Sequence, residues 1–426
     1  MTTLTRPPAA VPKPRAPAAP GLHGKVLHGL KVIEISQMVA GPYTAKVLAD
    51  MGADVLKIEP PLGGDQARRT GPFLNDTPHE EGSVLFLYLN TCKKSVQADW
   101  RTSLGAEIVQ HLARDADVLI EDTPPGTMAK HGLDYATLGK LNPGLVMLSM
   151  TPFGQSGPFK DHSAYPLNTF HSGGEGYLTP VGSWLLEGLN ERPPIKQGRY
   201  TGEYELALFA AVPTLAAVHF ARSTGTGQHI DLSKQEALIG LNFLEFQPYL
   251  SAGAVPTRAS RAFTMGGIMP CKDGYVEFCF HEEHQVQGMV RMLGNPAWAS
   301  EPWFKDPVAR NQYGARVNGY LRDWLNDYGK EEIFQKGQRS GCTVARYDSV
   351  PEVVASDQFK VREFFASVEH PVAGTHAYPT AAYRFAEEAF ALGPAPLLGQ
   401  HNEEVYLGRL GFSREELVQM RELGVI

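Results

Sequence analysis

The chain has 426 residues, of which 43% are hydrophobic and 20% are charged, and its formal net charge is −7. This length accommodates two or three domains of ordinary size, and the composition is typical of a soluble globular protein. A negative balance without a long run of Lys or Arg argues against a nucleic-acid partner. The four cysteines form no C-x-x-C pair, so we expect no disulfide scaffold or zinc knuckle, and a reducing, cytoplasmic location.

Residues 1–24 are rich in Pro and Ala and contain no apolar segment of the kind found in secretory signals. We therefore interpret them as an extension outside the fold. The longest apolar run, Leu206 to Val218, is shorter than the roughly 20 residues that a membrane span requires. Because this run also contains Pro213, we expect a buried helix and no membrane partner.

Residues 27–59 predict a strand, a tight turn, a helix and a second strand. The turn is Val39-Ala40-Gly41-Pro42, Pro42 suits the first position of a helix, and Gly52 ends that helix. Such a turn presents helix N-terminal N–H groups to a ligand. Glu59 lies where a dinucleotide-binding domain keeps its ribose-binding acid, but G-x-G-x-x-G is absent from the turn. We therefore expect no NAD.

The alternation of strands and helices continues beyond this unit. Apolar residues at helical spacing in 103–113 precede a strand at 118–120, and a helix at 134–141 precedes a strand at 145–148. This order predicts an α/β fold with a parallel, doubly wound sheet that binds ligands at the carboxyl ends of its strands. The pattern changes after Gly225, and the chain ends in a helix that Ser413 and Glu416 cap.

Several blocks of this sequence, in this order, resemble family III CoA-transferases, which include formyl-CoA and carnitine CoA-transferases. The blocks are LHGLKVIEISQMVAGPYTAKVLADMGADVLKIEPPLGGD, LNTCKKSVQADW, ADVLIEDTPPG, GLDYATLGKLNPGLVMLSMTPFGQSGP, GTGQHIDLS and PLLGQHNEEV. The resemblance covers nearly everything after residue 25. It implies a large split α/β domain, a smaller inserted α+β domain, and two subunits interlocked like links of a chain. We expect the large domain at 25–222 and 336–426 and the small domain at 223–335.

The resemblance also implies that coenzyme A or an acyl-CoA is the substrate. Val39 and Ala40 match the family turn that contacts the nucleotide, and Lys93 matches the lysine of an N-x-x-K-x-S block, which implies a phosphate contact. A solvated turn is the alternative for Lys93. Arg68 and Arg69 either serve the same phosphates or face solvent.

Two further segments match the family incompletely. Asp122 begins a loop, DTPPG, in which Pro124 stands where the family usually has Arg or His before Pro-Gly. Gly266 and Gly267 resemble the flexible glycine loop over the family's active site, although a plain turn is the alternative. His281 and His284 do not form H-E-x-x-H, so we expect no metal.

The family's chemistry requires an Asp that attacks the acyl-CoA thioester. Pro166 occupies its position here, and the neighbouring residues carry no carboxylate. Glu175, between two glycines, is a weak substitute whose alternative is a surface acid. His171 is either an acid/base residue or a partly buried structural histidine.

The missing Asp leaves three functions open. We favour the non-nucleophilic subunit of a heteromeric CoA-transferase, paired with an Asp-bearing homologue, as in family members that act on aromatic succinates. The second is a self-sufficient transferase, an intertwined homodimer that uses a substitute acid such as Glu175. The third is racemisation α to the thioester carbonyl, which needs an acid/base pair. Related racemases also resemble the family in using an Asp here, so Pro166 counts against this function too.

Overall fold

The structure is a computed structural model that describes residues 25–179, 193, 195, 198–241, 243–258, 264–386 and 392–426. Our interpretation of 1–24 lies outside these residues. By their contacts, the described residues form two compact units. The large unit comprises the described parts of Met1–Gly173, Gln197–Leu241 and Lys360–Ile426, and the small unit comprises those of Gly174–Lys196 and Asn242–Phe359.

Strands and helices alternate along most of the large unit, and the bounds given next include the elements of both units. The strands are β1 (Lys31–Ile35), β2 (Asp54–Glu59), β3 (Lys94–Gln97), β4 (Val118–Glu121), β5 (Val146–Thr151), β6 (His229–Ser233), β7 (Gly266–Cys271), β8 (Gly274–Cys279), β9 (Val344–Arg346), β10 (Phe365–His370) and β11 (Gly374–Pro379). The helices are α1 (Ala40–Asp50), α2 (Val84–Leu89), α3 (Ser103–Ala113), α4 (Thr127–Lys130), α5 (Tyr135–Leu141), α6 (Pro166–Ser172), α7 (Glu175–Leu178), α8 (Thr201–Thr224), α9 (Lys234–Leu241), α10 (Phe243–Ala252), α11 (Glu283–Met292), α12 (Pro302–Lys305), α13 (Pro307–Gln312), α14 (Gly314–Leu325), α15 (Lys330–Ser340), α16 (Val350–Ala355), α17 (Asp357–Val361) and α18 (Arg414–Glu422). Short 3-10 helices cover Gln66–Arg69, Leu74–Asp76 and Ala297–Ser300, and a π-helical turn covers Glu404–Arg409.

A six-stranded parallel sheet forms the centre of the large unit, in the order β3-β2-β1-β4-β5-β6. The predicted parallel sheet is therefore confirmed. Successive residues of a strand point to opposite faces, so Val32 packs with α1 and α8 whereas Ile33 packs with α3 and α18. The strand order reverses between β1 and β4. In open α/β sheets, ligands bind at this reversal, beyond the carboxyl ends of the strands.

The C-terminal segment covers the β3 edge of the sheet. Asn402 Oδ1 accepts a hydrogen bond of 2.9 Å from Gln97 N, and Tyr406 Oη donates one of 2.5 Å to Gln97 O. In α18, Ser413 Oγ accepts from Glu416 N at 3.1 Å and Glu416 Oε2 accepts from Ser413 N at 2.8 Å, which confirms the predicted capping box. Both ends of the chain thus contribute to the large unit.

The small unit contains an antiparallel sheet, β7-β8-β9, packed on helices such as α11 and α14. Its boundaries differ from those expected at 223 and 336. Strand β6 pairs with β5 in the large sheet, and β9 pairs with β8 in the small one. Apolar periodicity marks β6 and β9 as strands but carries no information about their partners, so the sequence misplaced both boundaries.

Helix α8 contains the longest apolar run and is long and apolar enough to cross a membrane by length and composition alone. The core helix of a soluble protein passes the same test. Leu206, Ala210 and Val218 of α8 are buried in the core beside the sheet. The opposite side of the helix exposes apolar side chains, among them Phe209 and Val212.

Candidate functional site

The turn between β1 and α1, residues 36–42, lies at the reversal of the strand order, and we call it the β1–α1 turn. Gln37 N donates a hydrogen bond of 3.0 Å to Asp122 Oδ2, which joins this turn to the loop after β4. A Cβ on Gly41 would lie 2.3 Å from Ser36 Cβ, so only glycine allows the turn to fold back this closely. The two loops that bound the reversal are therefore held together.

Helix α1 begins at Ala40, two residues before the position predicted from Pro42, and its N-cap, Val39, makes no side-chain cap. The first N–H groups of α1 therefore have no capping side chain, and such groups favour anionic ligands. Val39 and Ala40 are each only 1% exposed as whole residues, so neither presents a surface to a ligand in this structure, contrary to the expected nucleotide contact. Gln37 is the exposed part of the turn, and Met38 has a φ of +65°.

Lys93 lies inside the large unit and not at a phosphate-accessible surface, contrary to the expected contact. Its Nζ donates to Glu34 Oε2 at 2.8 Å, Pro42 O at 2.8 Å and Asn90 Oδ1 at 2.9 Å. These three acceptors use every proton of the ammonium group. Burial lowers the pKa of Lys93 to about 8. The N-x-x-K-x-S block thus places its lysine beneath the β1–α1 turn.

Arg68 is also buried, so neither alternative that the sequence left open describes it. Its guanidinium binds both carboxylate oxygens of Glu59, at 2.8 and 2.9 Å, and Glu81 at 2.7 Å. Burial alone would raise the pKa of Glu59, but the hydrogen bonds from Arg68 hold it below its ordinary value. Arg69 is exposed and donates to Gly63 O. Of these two arginines, only Arg69 is free of a buried ion pair.

Asp122 lies at the reversal, as the doubly wound fold requires of a site residue. Burial raises its pKa to about 7, although Lys234 and the hydrogen bond from Gln37 N oppose this shift. The group therefore changes charge near neutral pH. Its role toward CoA stays a prediction.

A surface cavity of about 600 Å³ lies beside α6. It is lined by Phe153, Phe159, His162, Ser163, Ala164, Leu167, Asn168, His171, Ser172 and Gln235. Phe159 meets Phe153 and His162 edge to face, with ring centroids 5.9 and 5.1 Å apart. Among the described residues, no Asp or Glu lines this cavity. The cavity is therefore mainly apolar and can take an uncharged group.

Pro166 is the first residue of α6, a position at which proline is favoured because its missing N–H would have no helical partner. Asn168 Oδ1 accepts a hydrogen bond of 2.9 Å from Tyr165 N and completes the helix start. His171 lies on the same helix, is half-buried and lines the cavity. Helix α6 therefore places His171, and no carboxylate, at the cavity.

Glu175 begins α7 in the small unit. Thr179 Oγ1 donates to its Oε1 at 3.1 Å, whereas Oε2 is buried and has no hydrogen-bond partner in the part of the chain that the structure describes. A Cβ on the preceding Gly174 would lie 2.6 Å from the Phe246 ring. The glycine therefore serves local packing, in addition to any role near a ligand.

Gly266 and Gly267 open strand β7 instead of forming a loop, and both have positive φ, +93° and +88°. A Cβ on Gly266 would lie 2.7 Å from Phe278 O of the neighbouring strand, so this glycine is required for strand pairing. Among the described residues, no group of three or more His, Cys, Asp or Glu side chains could hold a metal ion.

The sequence analysis missed Glu34, Lys57 and Asp65, which surround Lys93. Glu34 and Lys57 face each other in the parallel register of β1 and β2. The signal was present, because VIEI and VLKIE each carry a charge inside a buried apolar strand. Charged residues are rarely buried unless paired, so two such positions in adjacent predicted strands indicate an ion pair.

Comparisons with known proteins identify the family of the chain. The sequence profile of CoA-transferase family III matches residues 27–402. Succinyl-CoA–D-citramalate CoA-transferase of Chloroflexus aurantiacus is 28% identical over 405 residues, which are 94% of this chain and 98% of that protein. Succinyl-CoA:(R)-benzylsuccinate CoA-transferase subunit BbsE of Thauera aromatica is 29% identical over 401 residues, covering 91% and 95% of the two chains.

A solved structure of a CAIB/BAIF family protein from Brucella suis superposes with a TM-score of 0.77 and 28% identity, covering 90% of this chain and 99% of that one. The resemblance deduced from the sequence blocks is thus confirmed over both units. The profile match extends from β1 to the segment that covers β3. The chain belongs to CoA-transferase family III.

Proposed function

We propose that this chain is the subunit of a heteromeric CoA-transferase that binds CoA without supplying the carboxylate that receives the acyl group. One observation carries this proposal. Helix α6 begins with Pro166, which the resemblance implies is at the position of the family's Asp, and no Asp or Glu among the described residues lines the adjacent cavity. A proline side chain has neither a nucleophilic atom nor a titratable proton, so it cannot take over the attack.

The role of this chain is then to bind and orient. The β1–α1 turn, of which Gln37 is the exposed residue, lies at the strand reversal where CoA would bind, and exposed Arg69 is a candidate cation for a phosphate of the ligand. The apolar cavity beside α6 accommodates the acyl group. An Asp of the partner subunit attacks the thioester carbonyl, and CoA leaves as the thiolate. That thiolate attacks the Asp carbonyl of the anhydride, which releases the donor acid and leaves CoA on the Asp as a thioester. The acceptor acid then repeats these steps in reverse and leaves as its CoA ester.

Two observations favour a second, homologous chain. The solvent-facing side of α8 exposes Phe209 at 47% and Val212 at 70%, and apolar patches of this kind mark association surfaces. BbsE, a relative of similar length, is named as a subunit of its enzyme. We therefore propose an interlocked heterodimer with an Asp-bearing homologue, located in the cytoplasm, where cysteines that form no disulfide remain reduced.

The test is to express the chain alone and together with an Asp-bearing homologue from the same genome. Intact mass spectrometry after incubation with succinyl-CoA shows which chain carries a covalent CoA thioester. We expect the adduct on the partner and transferase activity from the complex only. An adduct on this chain, or full activity from this chain alone, would refute the proposal. Pro166→Asp should keep α6, since an acid suits a helix start, and give this chain an adduct of its own.

A self-sufficient enzyme is the second candidate, because Glu175 has a buried oxygen without a hydrogen-bond partner among the described residues. A poised nucleophile needs such a free oxygen. In this case the adduct forms on this chain and disappears in Glu175→Gln. Glu236→Gln is the control, since Glu236 lies in the first turn of α9 and changes the charge equally.

A further inference from the structure

Four buried charged side chains lie beneath the β1–α1 turn, and we call them the charged cluster. Glu34 and Lys57 are fully buried, and Asp65 and Lys93 are 1% and 4% exposed. They come from β1, β2, the loop after β2 and the segment before β3. The two positive and two negative groups balance, so the cluster carries no net charge.

The charged cluster binds the backbone of the turn directly. Lys57 Nζ donates to Ser36 O at 2.9 Å, and Lys93 Nζ donates to Pro42 O at 2.8 Å. These two carbonyl groups stand at the two ends of the turn. Asp65 Oδ1 accepts from Met38 N at 3.0 Å in the middle. Met38 has a left-handed φ of +65°, which is unfavourable for a residue with a side chain and needs such support.

Ion pairs connect these three contacts to one another. Glu34 bridges the lysines, with Oε1 2.6 Å from Lys57 Nζ and Oε2 2.8 Å from Lys93 Nζ. Asp65 Oδ2 lies 2.8 Å from Lys57 Nζ. A displacement of one end of the turn is therefore opposed at the other end and at Met38.

Stability alone does not explain this arrangement. Moving charges out of water costs free energy, and well-packed apolar residues often replace buried ion pairs without loss of stability. What apolar residues cannot do is donate hydrogen bonds to Ser36 O and Pro42 O or accept one from Met38 N. The charged cluster therefore fixes the backbone conformation of the turn.

We propose that Lys57, Asp65 and Lys93 are positioning residues that hold the β1–α1 turn in its CoA-binding conformation and never touch CoA. This inference rests on the proposed function, because it assumes that the turn binds CoA. It assigns Lys93 a role different from a phosphate contact. CoA affinity then depends on buried groups that act through the backbone of residues 36–42.

Lys93→Met is the test, and Lys46→Met is a matched control. Lys46 is likewise 4% exposed and pairs with a carboxylate and a hydroxyl, those of Asp50 and Thr91, and neither of these partners belongs to the turn. The dissociation constant of CoA is measured by calorimetry on the purified protein, alone and with its partner, beside the melting temperature. We expect Lys93→Met to raise the dissociation constant about tenfold or more, and Lys46→Met to change it less than about twofold at a similar loss of melting temperature.

Equal losses of CoA affinity in the two variants, or none in Lys93→Met, would overturn the inference while the proposed function stands. If wild-type protein binds no CoA in either form, the proposed function fails and this inference with it. Where Lys93→Met does not fold, Lys93→Gln replaces it, since glutamine keeps a donor for Pro42 O but no charge. CoA affinity weaker than that of wild type in folded Lys93→Gln is the expected result, and wild-type affinity in that variant overturns the inference.

A pH profile separates positioning from a structural role. The titratable groups facing Lys93 are Glu34, Lys57 and Asp65, and burial lowers the pKa of Lys93 to about 8. Above this pH the ammonium charge is lost, so the dissociation constant of CoA should rise several-fold between pH 7 and pH 9 in wild type and stay flat in the Lys93 variant. Over the same pH range the unfolded chain still binds the proton that folded Lys93 loses, so the free energy of unfolding rises with pH. From pH 7 to pH 9 we therefore expect wild-type protein to bind CoA more weakly while its fold becomes more stable. An unchanged dissociation constant of CoA over this range would contradict the inference.

Discussion

Replacement of Arg68 by Ala tests whether this residue supports the fold or binds a ligand. The side chain is fully buried, holds Glu59 and Glu81, donates to Pro396 O at 3.0 Å, and stacks 3.6 Å above the centre of the Phe86 ring. Its removal leaves two buried carboxylates without their cation. Breaking a buried pair in this way costs about 3–5 kcal/mol. This is a large share of the roughly 5–15 kcal/mol that holds a typical domain together.

The measurement is urea unfolding followed by circular dichroism, with Arg69→Ala as the matched control. Arg69 is the next residue but is exposed, so its replacement should change the free energy of unfolding by no more than about 0.5 kcal/mol. We further expect that Glu59→Gln and Glu81→Gln, added to Arg68→Ala, recover part of the lost stability. The reason is that most of the loss comes from uncompensated charge and not from lost packing.

The opposite pattern would refute this reasoning. If Arg68→Ala unfolds within about 1 kcal/mol of wild type and instead loses CoA affinity, Arg68 is a ligand residue and the buried ion pairs contribute little. A stability loss that the two glutamine replacements deepen would show that packing on Phe86 dominates. The change of stability with pH also has a defined direction. Because the pKa of Glu59 is lowered, its contribution is present above about pH 4.5 and lost as the pH falls, and Arg68→Ala should flatten that slope.

Two further predictions concern the strand reversal. Gly41→Ala should lower the free energy of unfolding by about 1–3 kcal/mol and weaken CoA binding, because the new Cβ overlaps Ser36. The control is Gly240→Ala on α9, where the new Cβ meets open space, and in the same thermal-shift assay it should be neutral or stabilising. Asp122→Asn should stabilise the protein by about 1 kcal/mol at pH 8, since burial raises the pKa of this acid to about 7 and its charge costs stability as the pH rises from its ordinary 3.8. That gain should vanish near pH 3.5, and a pH-independent difference would contradict it.

The sequence predicted much of the large unit because its signals are local. Apolar strands, Pro42 at a helix start and the Ser413–Glu416 cap each act within a few residues, and the structure has β1, α1 and α18 at these places. Partners of β6 and β9 depend on contacts across the chain, which no local pattern records.

The position of the candidate site was predictable from the sequence, but the directions in which its charged side chains point were not. The turn lies at the strand reversal, as parallel α/β topology requires. A motif match gives a residue type and a place in the chain, but the direction of Lys93 and Arg68 depends on buried carboxylates from other strands. Matching therefore assigned Lys93 to a phosphate and left Arg68 between a phosphate and solvent, whereas the fold pairs both cations with buried carboxylates. Which residues contact CoA stays a prediction.

Because the C-terminal segment covers the β3 edge of the sheet, this edge stays open while the rest of the chain is synthesised. Gln97 and its partner Asn402 are 305 residues apart. At about 5–20 residues per second, the ribosome needs roughly 15–60 s to make the chain between them. Throughout this time the outer strand of a nascent parallel sheet has open N–H and C=O groups, which readily pair with other chains. In the interlocked heterodimer proposed above, each subunit would pass through this open state, so that the same delay that invites aggregation would also give one chain time to thread through the other.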